Sequence, residues 1–317
     1  MITSEISYVV NALNQGELVA IPTETVYGLA GSAFNEQAIH KIFQLKSRPS
    51  CNPLILHTHS INEVLKFVKE IPPTAMKLAE AFWPGPLTLL LPKKSIIPHS
   101  VTSGSHLVAV RIPNHAVTLA LLKQLDFPLV APSANPYTRI SPTNSKMVDE
   151  YFGDTLPCIL EGDICAKGIE STIVGFHDNA PVIYRQGAIS VDAIEFIAGK
   201  SKVLATKNEK VTTPGMSPMH YAPRTRFQIV DCISNFIIQN PTLNIGVLTL
   251  GKTVIEQSNT TCIQLSITAD LEEASASLYK SMYALDGMNL DCIIIEKFPE
   301  IGIGKSLNDR IQRASFR

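Results

Sequence analysis

The chain has 317 residues, with 27 Lys plus Arg against 28 Asp plus Glu and a formal net charge of −1. Hydrophobic residues make up 45% and charged residues 17%, a globular balance that excludes a disordered or collagen-like chain. Single cores stop growing near roughly 250 residues, so the length suits two domains, and any attraction to phosphate must come from a local cluster of cations.

Taken in chain order, Ser4 is placed to cap a first helix with Ile6, Val9, Val10 and Leu13 on one face and Gly16 as its stop. The apolar run 18–21 predicts a buried strand, and 35–45 a helix capped by Asn35 with Ile39, Ile42 and Phe43 inward. A strand is expected over 53–57, then two helices between Ser60 and Phe82, divided by Pro72-Pro73. Strands over 87–91 and 107–112, a helix over 115–124 and a short strand over 129–131 follow. Two strands, 172–176 and 182–185, are joined by the polar turn Asp178-Asn179, and a helix over 191–198 closes the unit.

From residue 199 to 226 the composition turns to Lys, Thr and Pro and reads as a linker containing Thr213-Pro214-Gly215-Met216 and His220-Tyr221-Ala222-Pro223. Strands over 227–230, 245–250, 262–265 and 292–296, with a long helix over 270–285, predict a small parallel α/β domain. The expected division is 1–199, a linker over 200–226, and 227–317.

Several strand ends carry chemistry. Pro22 to Leu29 places Thr23, Glu24 and Thr25 where open α/β sheets bind ligands, although a polar loop would look the same. Lys46 and Arg48 sit two residues apart, stiffened by Pro49 and Pro53 and flanked by Asn52. Such cations either satisfy a helix C-terminus or grip a triphosphate, for which Arg offers a planar fork and Lys a point charge. Arg111 lies within an apolar strand and meets either an anionic ligand or an internal carboxylate, because a buried arginine without an anion is costly. His57, Ser133, Asn135, Ser141, Ser171 and Arg185 lie at or near further strand ends.

Gly246 to Thr253 fits the GxxxxGK[ST] spacing, but Val247 to Leu250 are strand-like, so a phosphate-cradling loop is not expected there. There is no HExxH or GxSxG pattern. The six cysteines, Cys51, Cys158, Cys165, Cys232, Cys262 and Cys292, form no CxxC pair and read as reduced, mostly buried thiols. With no apolar run of roughly 18 residues and no signal-peptide layout, the expected location is cytoplasmic.

In this order, PTETVYGLA at 22–30, KSRPSCNPLILH at 46–57, WPGPLTLLL at 83–91, VAVRIP at 108–113, APSAN at 131–135, ESTIVGF at 170–176, PGMSPMHYAP at 214–223 and LNDRIQRAS at 307–315 resemble the threonylcarbamoyl-AMP synthase (YrdC/Sua5) family in its two-domain form. Gln186 and Leu107 depart from the family's usual proline and threonine. The resemblance implies a twisted mixed α/β sheet with a concave cavity, followed by a smaller Rossmann-like α/β domain. It implies that L-threonine, bicarbonate or CO₂, and ATP give threonylcarbamoyl-AMP and diphosphate. The product then goes to the machinery that modifies tRNA adenosine 37.

By the same resemblance, Thr25, His57, Arg111 and Ser171 contact threonine, with its carboxylate on Arg111. Lys46, Arg48 and Asn52 meet the triphosphate, with Lys46 and Arg48 catalytic. Ser133, Asn135, Ser141 and Arg185 hold the nucleotide, Tyr221 lies against it, Mg²⁺ accompanies it, and the linker acts as a lid. A hydrogenase-maturation carbamoyl transferase would need acylphosphatase and zinc-finger modules that this chain lacks. An RNA-binding module would call for a basic surface, against the net charge of −1.

Overall fold

A computed structural model describes residues 1–204, 220–252 and 257–316. The strands are β1 (Ile2–Thr3), β2 (Val19–Ile21), β3 (Gly28–Ser32), β4 (Ile55–His57), β5 (Leu87–Pro92), β6 (Leu107–Arg111), β7 (Leu129–Val130), β8 (Ile159–Leu160), β9 (Thr172–His177), β10 (Ala180–Arg185) and β11 (Lys202–Val203), followed by β12 (Arg226–Ile229), β13 (Ile245–Thr249), β14 (Thr260–Gln264) and β15 (Cys292–Ile295). The first eleven form one mixed sheet in the order β1-β8-β2-β3-β7-β4-β6-β5-β9-β10-β11. The last four form a second sheet, β12-β15-β13-β14, in which every pair is parallel. The expected α/β class and the parallel second sheet are both present.

Local chemistry explains much of the first sheet. Asn35 caps helix Glu36–Lys46 by accepting from the Gln37 and Ala38 amides. Its C-cap, Ser47, takes a left-handed φ of 51°, which ends the helix directly after Lys46 and sends the chain off at Arg48. Pro73 begins helix Pro73–Phe82, where its missing N–H costs nothing. Asp178 and Asn179, at φ 49° and 63°, give the β9–β10 hairpin the left-handed turn that matches strand twist.

Four departures matter. Ser4 does not cap the first helix, Ile6–Asn14; Glu5 is its N-cap, with no side-chain bond to the helix. No strand was read over Gly28-Leu29-Ala30-Gly31-Ser32, which has no period-2 pattern. The stretch is β3, a fully buried strand between β2 and β7, where a Cβ on Gly31 would lie 2.8 Å from Leu18 Cδ2. Helices Ser145–Phe152, Ile233–Gln239 and Gly304–Ala314 were not expected. Half of the cysteines (Cys51, Cys232 and Cys262) are exposed rather than buried, and all six are free.

One core cluster crosses from the first region into the second. Val26, Ile140, Ile169 and Tyr221 pack with Leu278, Tyr279, Leu307 and Ile311. Helix Leu271–Asp286 approaches so closely that a Cβ on Gly168 (φ +68°) would fall 2.4 Å from the Ser275 carbonyl oxygen. Most of the expected linker, including Thr213 to Met216, lies outside the described residues, as does Thr253 of the GxxxxGKT stretch. The rest of that stretch runs along β13 through Thr249, so its first four amides belong to a sheet. Among the described residues, no helix is long and apolar enough to cross a membrane.

Candidate functional site

A small cavity opens where β3, β4, β6, β9 and β10 deliver their ends. Thr25, Arg48, His57, Arg111, Ser133, Ser171, Arg185 and Tyr221 line it, so eight of the twelve residues singled out from the sequence converge. β4 and β6 run in parallel register with His57 beside Arg111, which sets these two side by side at the same end. Arg185 ends β10; its Nε and Nη2 donate to the Ser171 carbonyl at 3.1 and 2.9 Å, and Nη2 also donates to Ser171 Oγ at 3.0 Å. Thr88 and Ser171 hydroxyls lie 2.7 Å apart.

The other four, Lys46, Asn52, Asn135 and Ser141, sit behind the wall. Lys46 is buried and donates to the Ser133 carbonyl at 2.5 Å and to the Asn135 carbonyl. Asn52 Nδ2 donates to Tyr137 Oη at 3.2 Å, and Asn135 Nδ2 donates to the Pro136 and Arg139 carbonyls. Ser141 Oγ donates to Glu170 at 2.7 Å. Arg48 is anchored by the Asn52 and Pro53 carbonyls, at 3.4 and 3.1 Å.

Burial governs the charges. It lowers Lys46 well below the usual lysine range, with Arg48 adding repulsion, and it brings Arg48 down to about 10. An arriving anion would reverse both effects, so the site is held ready for negative charge. Burial also brings His57 down to about 3, with Arg111 contributing repulsion. His57 Nδ1 lies 3.1 Å from the Ile55 carbonyl, which can only accept, so Nδ1 carries the proton and Nε2 is left as an acceptor. His220 is likewise held neutral by burial and then by the arginines and Lys46 around it.

Arg111 meets an internal carboxylate, one of its two expected kinds of partner. Its Nη2 lies 2.8 Å from Glu24 Oε2, with both side chains buried, and Nε donates to the Gly85 carbonyl at 3.3 Å. A carboxylate ligand would therefore share Arg111 with Glu24.

Sequence reasoning assigned no role to three groups. Glu170 lines the cavity and bonds Arg310, 140 residues away, at 2.9 Å. His220 and Tyr221 line the cavity with His220 Nδ1 and Tyr221 Oη buried and without hydrogen-bond partners among the described residues; Tyr221 had been expected there, and His220 had not. Adjacent His220-Tyr221 in a polar linker was the available signal. Glu170 and Arg310 lie in the ESTIVGF and LNDRIQRAS stretches, but nothing local pairs them.

Known proteins resemble this chain over most of its length. Residues 11–187 match the Sua5/YciO/YrdC family, described as telomere recombination, and residues 189–315 match the threonylcarbamoyl-AMP synthase C-terminal domain. A Pyrococcus abyssi threonylcarbamoyl-AMP synthase is 36% identical over 96% of this chain and 92% of its own length. A Bacillus subtilis protein of the same name is 36% identical over 96% and 90%. The crystal structure of P. abyssi Sua5 complexed with L-threonine superposes with a TM-score of 0.89 at 33% identity, covering 98% of this chain and 94% of that one. The chain belongs to the two-domain Sua5 branch of the threonylcarbamoyl-AMP synthase family.

Proposed function

We propose that the protein is a threonylcarbamoyl-AMP synthase, a nucleotidyltransferase that joins L-threonine, bicarbonate or CO₂, and ATP and releases diphosphate. The observation that carries this reading is the convergence of Arg48, Arg111 and Arg185 from separate segments on one cavity, with Lys46 directly behind the Ser133 wall.

Threonine's carboxylate meets Arg111, while Thr25, Ser171 and the free Nε2 of His57 take its polar groups. The amine attacks the one-carbon substrate to give a carbamate, and a carbamate oxygen then attacks the α-phosphorus as diphosphate leaves. Negative charge shifts onto the leaving diphosphate, so the reaction needs positioned cations more than a nucleophile. Arg48 faces the triphosphate from the cavity wall, with Asn52 bracing the segment and Lys46 directly behind Ser133; Ser133, Asn135, Ser141 and Arg185 shape the nucleotide side. The orphaned Tyr221 hydroxyl and His220 nitrogen are supplied with partners when ligand fills the cavity.

Mg²⁺ fits as an ion carried in on ATP: the wall offers hydroxyls at Thr25 and Ser133, while the nearby carboxylates Glu24 and Glu170 are held by arginines. It would offset phosphate charge. The product would pass, in the cytoplasm, to the tRNA threonylcarbamoyl-transfer machinery.

Incubation with ATP, Mg²⁺, bicarbonate and L-threonine, followed by chromatography, should yield threonylcarbamoyl adenylate and diphosphate together. Diphosphate release that ignores threonine, or no adenylate at all, would refute the assignment.

A further inference from the structure

We propose that Arg310, brought to the cavity by helix Gly304–Ala314, is a positioning residue for the nucleotide side: by neutralising Glu170 it leaves Arg185 seated on Ser171 at the cavity wall.

Glu170 is a buried carboxylate in the cavity wall. One oxygen accepts from Ser141 at 2.7 Å, and the other from Tyr279 Oη at 3.0 Å and Arg310 Nε at 2.9 Å. Two of these three donors come from the C-terminal region. Arg310 is itself only 1% exposed. Its Nη2 donates to the Gln186 carbonyl at 2.8 Å, and its guanidinium lies over the Tyr221 ring at 5.0 Å, with Tyr221 stacked on Tyr279. Ser306, one turn earlier, donates to the Gly187 carbonyl at 2.9 Å. The same helix therefore holds the turn that directly follows Arg185. That turn presses on the Glu170-Ser171 backbone so tightly that a Cβ on Gly187 would lie 2.4 Å from the Glu170 carbonyl oxygen.

Burial pushes the Glu170 carboxyl upward, and Arg310 first and then Arg185 pull it below its ordinary value. Arg185 is thus the cation that a bare Glu170 would recruit. A buried charge stripped of its partner is strongly unfavourable and draws in the next available opposite charge. Arg310 prevents this, so the nucleotide meets Arg185 instead of losing it to an internal carboxylate.

The inference rests on the nucleotide reading of the cavity. R310M keeps apolar volume and removes the charge. In calorimetric titration with ATP and Mg²⁺, the full-length variant is expected to bind about ten- to a hundredfold more weakly, the span of one charge-assisted hydrogen bond. In turnover the loss should fall on KM for ATP, with kcat little changed. E170Q/R310M removes the stranded carboxylate and is expected to recover most of the affinity. Simple adhesion between the two regions predicts the reverse, because the double variant has one contact fewer.

R310M binding ATP like the wild type, or the double variant binding as weakly as R310M, overturns the proposal. Should R310M fail to melt cooperatively, the double variant decides alone: affinity close to wild type supports the role and a hundredfold loss removes it. A wild-type chain that binds no ATP eliminates the nucleotide reading, and this inference with it.

Discussion

The eleven-stranded and four-stranded regions handle charge in opposite ways. The first buries Glu24, Lys46, Arg48, His57, Lys93, Arg111, Glu170 and Arg185. Among the described residues the second buries only Arg310 and Arg313 of its ionisable Asp, Glu, Lys, Arg and His side chains, and Arg310 reaches across to Glu170. Its far face is plain aliphatic packing, Ile233, Ile237, Ile245, Val247 and Ile294. Burying charge is expensive and is often retained where a site uses it, which is why the proposed chemistry is placed in the first region. The second contributes stability and one charged reach into the cavity wall.

The sharpest way to test that contrast is to remove cations from the first region. Lys46→Ala and Arg48→Ala should each lower turnover by about two orders of magnitude or more, as expected when a preorganised charge at a phosphoryl-transfer site is lost. Diphosphate release dependent on ATP and threonine is the readout, and normal rates would detach these residues from catalysis. In the second region, Ile294→Ala should cost about 2–5 kcal/mol of stability by opening a cavity, read as a lower melting temperature. At a temperature where it remains folded, its KM for ATP should match the wild type; a raised KM would show that the two regions are not separable.

Acid should act mainly through the first region. His57 is neutral in the folded protein down to about pH 3, whereas an ordinary histidine takes up a proton near 6.5. Between those values the unfolded chain binds the extra proton, so stability falls as the pH is lowered and is fully present above 6.5. The slope from this one group is about 1.4 kcal/mol per pH unit, and His57→Gln should flatten it in pH-dependent melting. An unchanged slope would show that His57 does not set it. At the small end, the exposed Lys41–Glu17 pair, 3.2 Å apart, should contribute below about 0.5 kcal/mol, so Lys41→Ala should leave melting and turnover alike unmoved.

Much of this was legible in the sequence because it is local. The Asn35 cap, the Pro73 helix start, the Asp178-Asn179 turn and the parallel alternation after residue 226 each rest on a few adjacent residues. β3 was missed because its small residues pack where no alternating pattern is needed. Helix Gly304–Ala314 was missed although one face of it is buried, since it opens on Gly304, a poor helix former, and has no side-chain cap. In the site, the closeness of Lys46 and Arg48 was visible directly, whereas their orientation was not: Arg48 reaches the cavity and Lys46 turns behind it.

By itself the sequence determined most of the longer strands and helices, where cations cluster along the chain, and which strand carries an arginine that must find an anion. It could not determine which anion. Glu24 meets Arg111 and Glu170 meets Arg310 only because the tertiary fold brings distant segments within 3 Å. The reason is physical: desolvation and Coulomb energies depend on distance through space and on burial, and neither is a function of position along the chain.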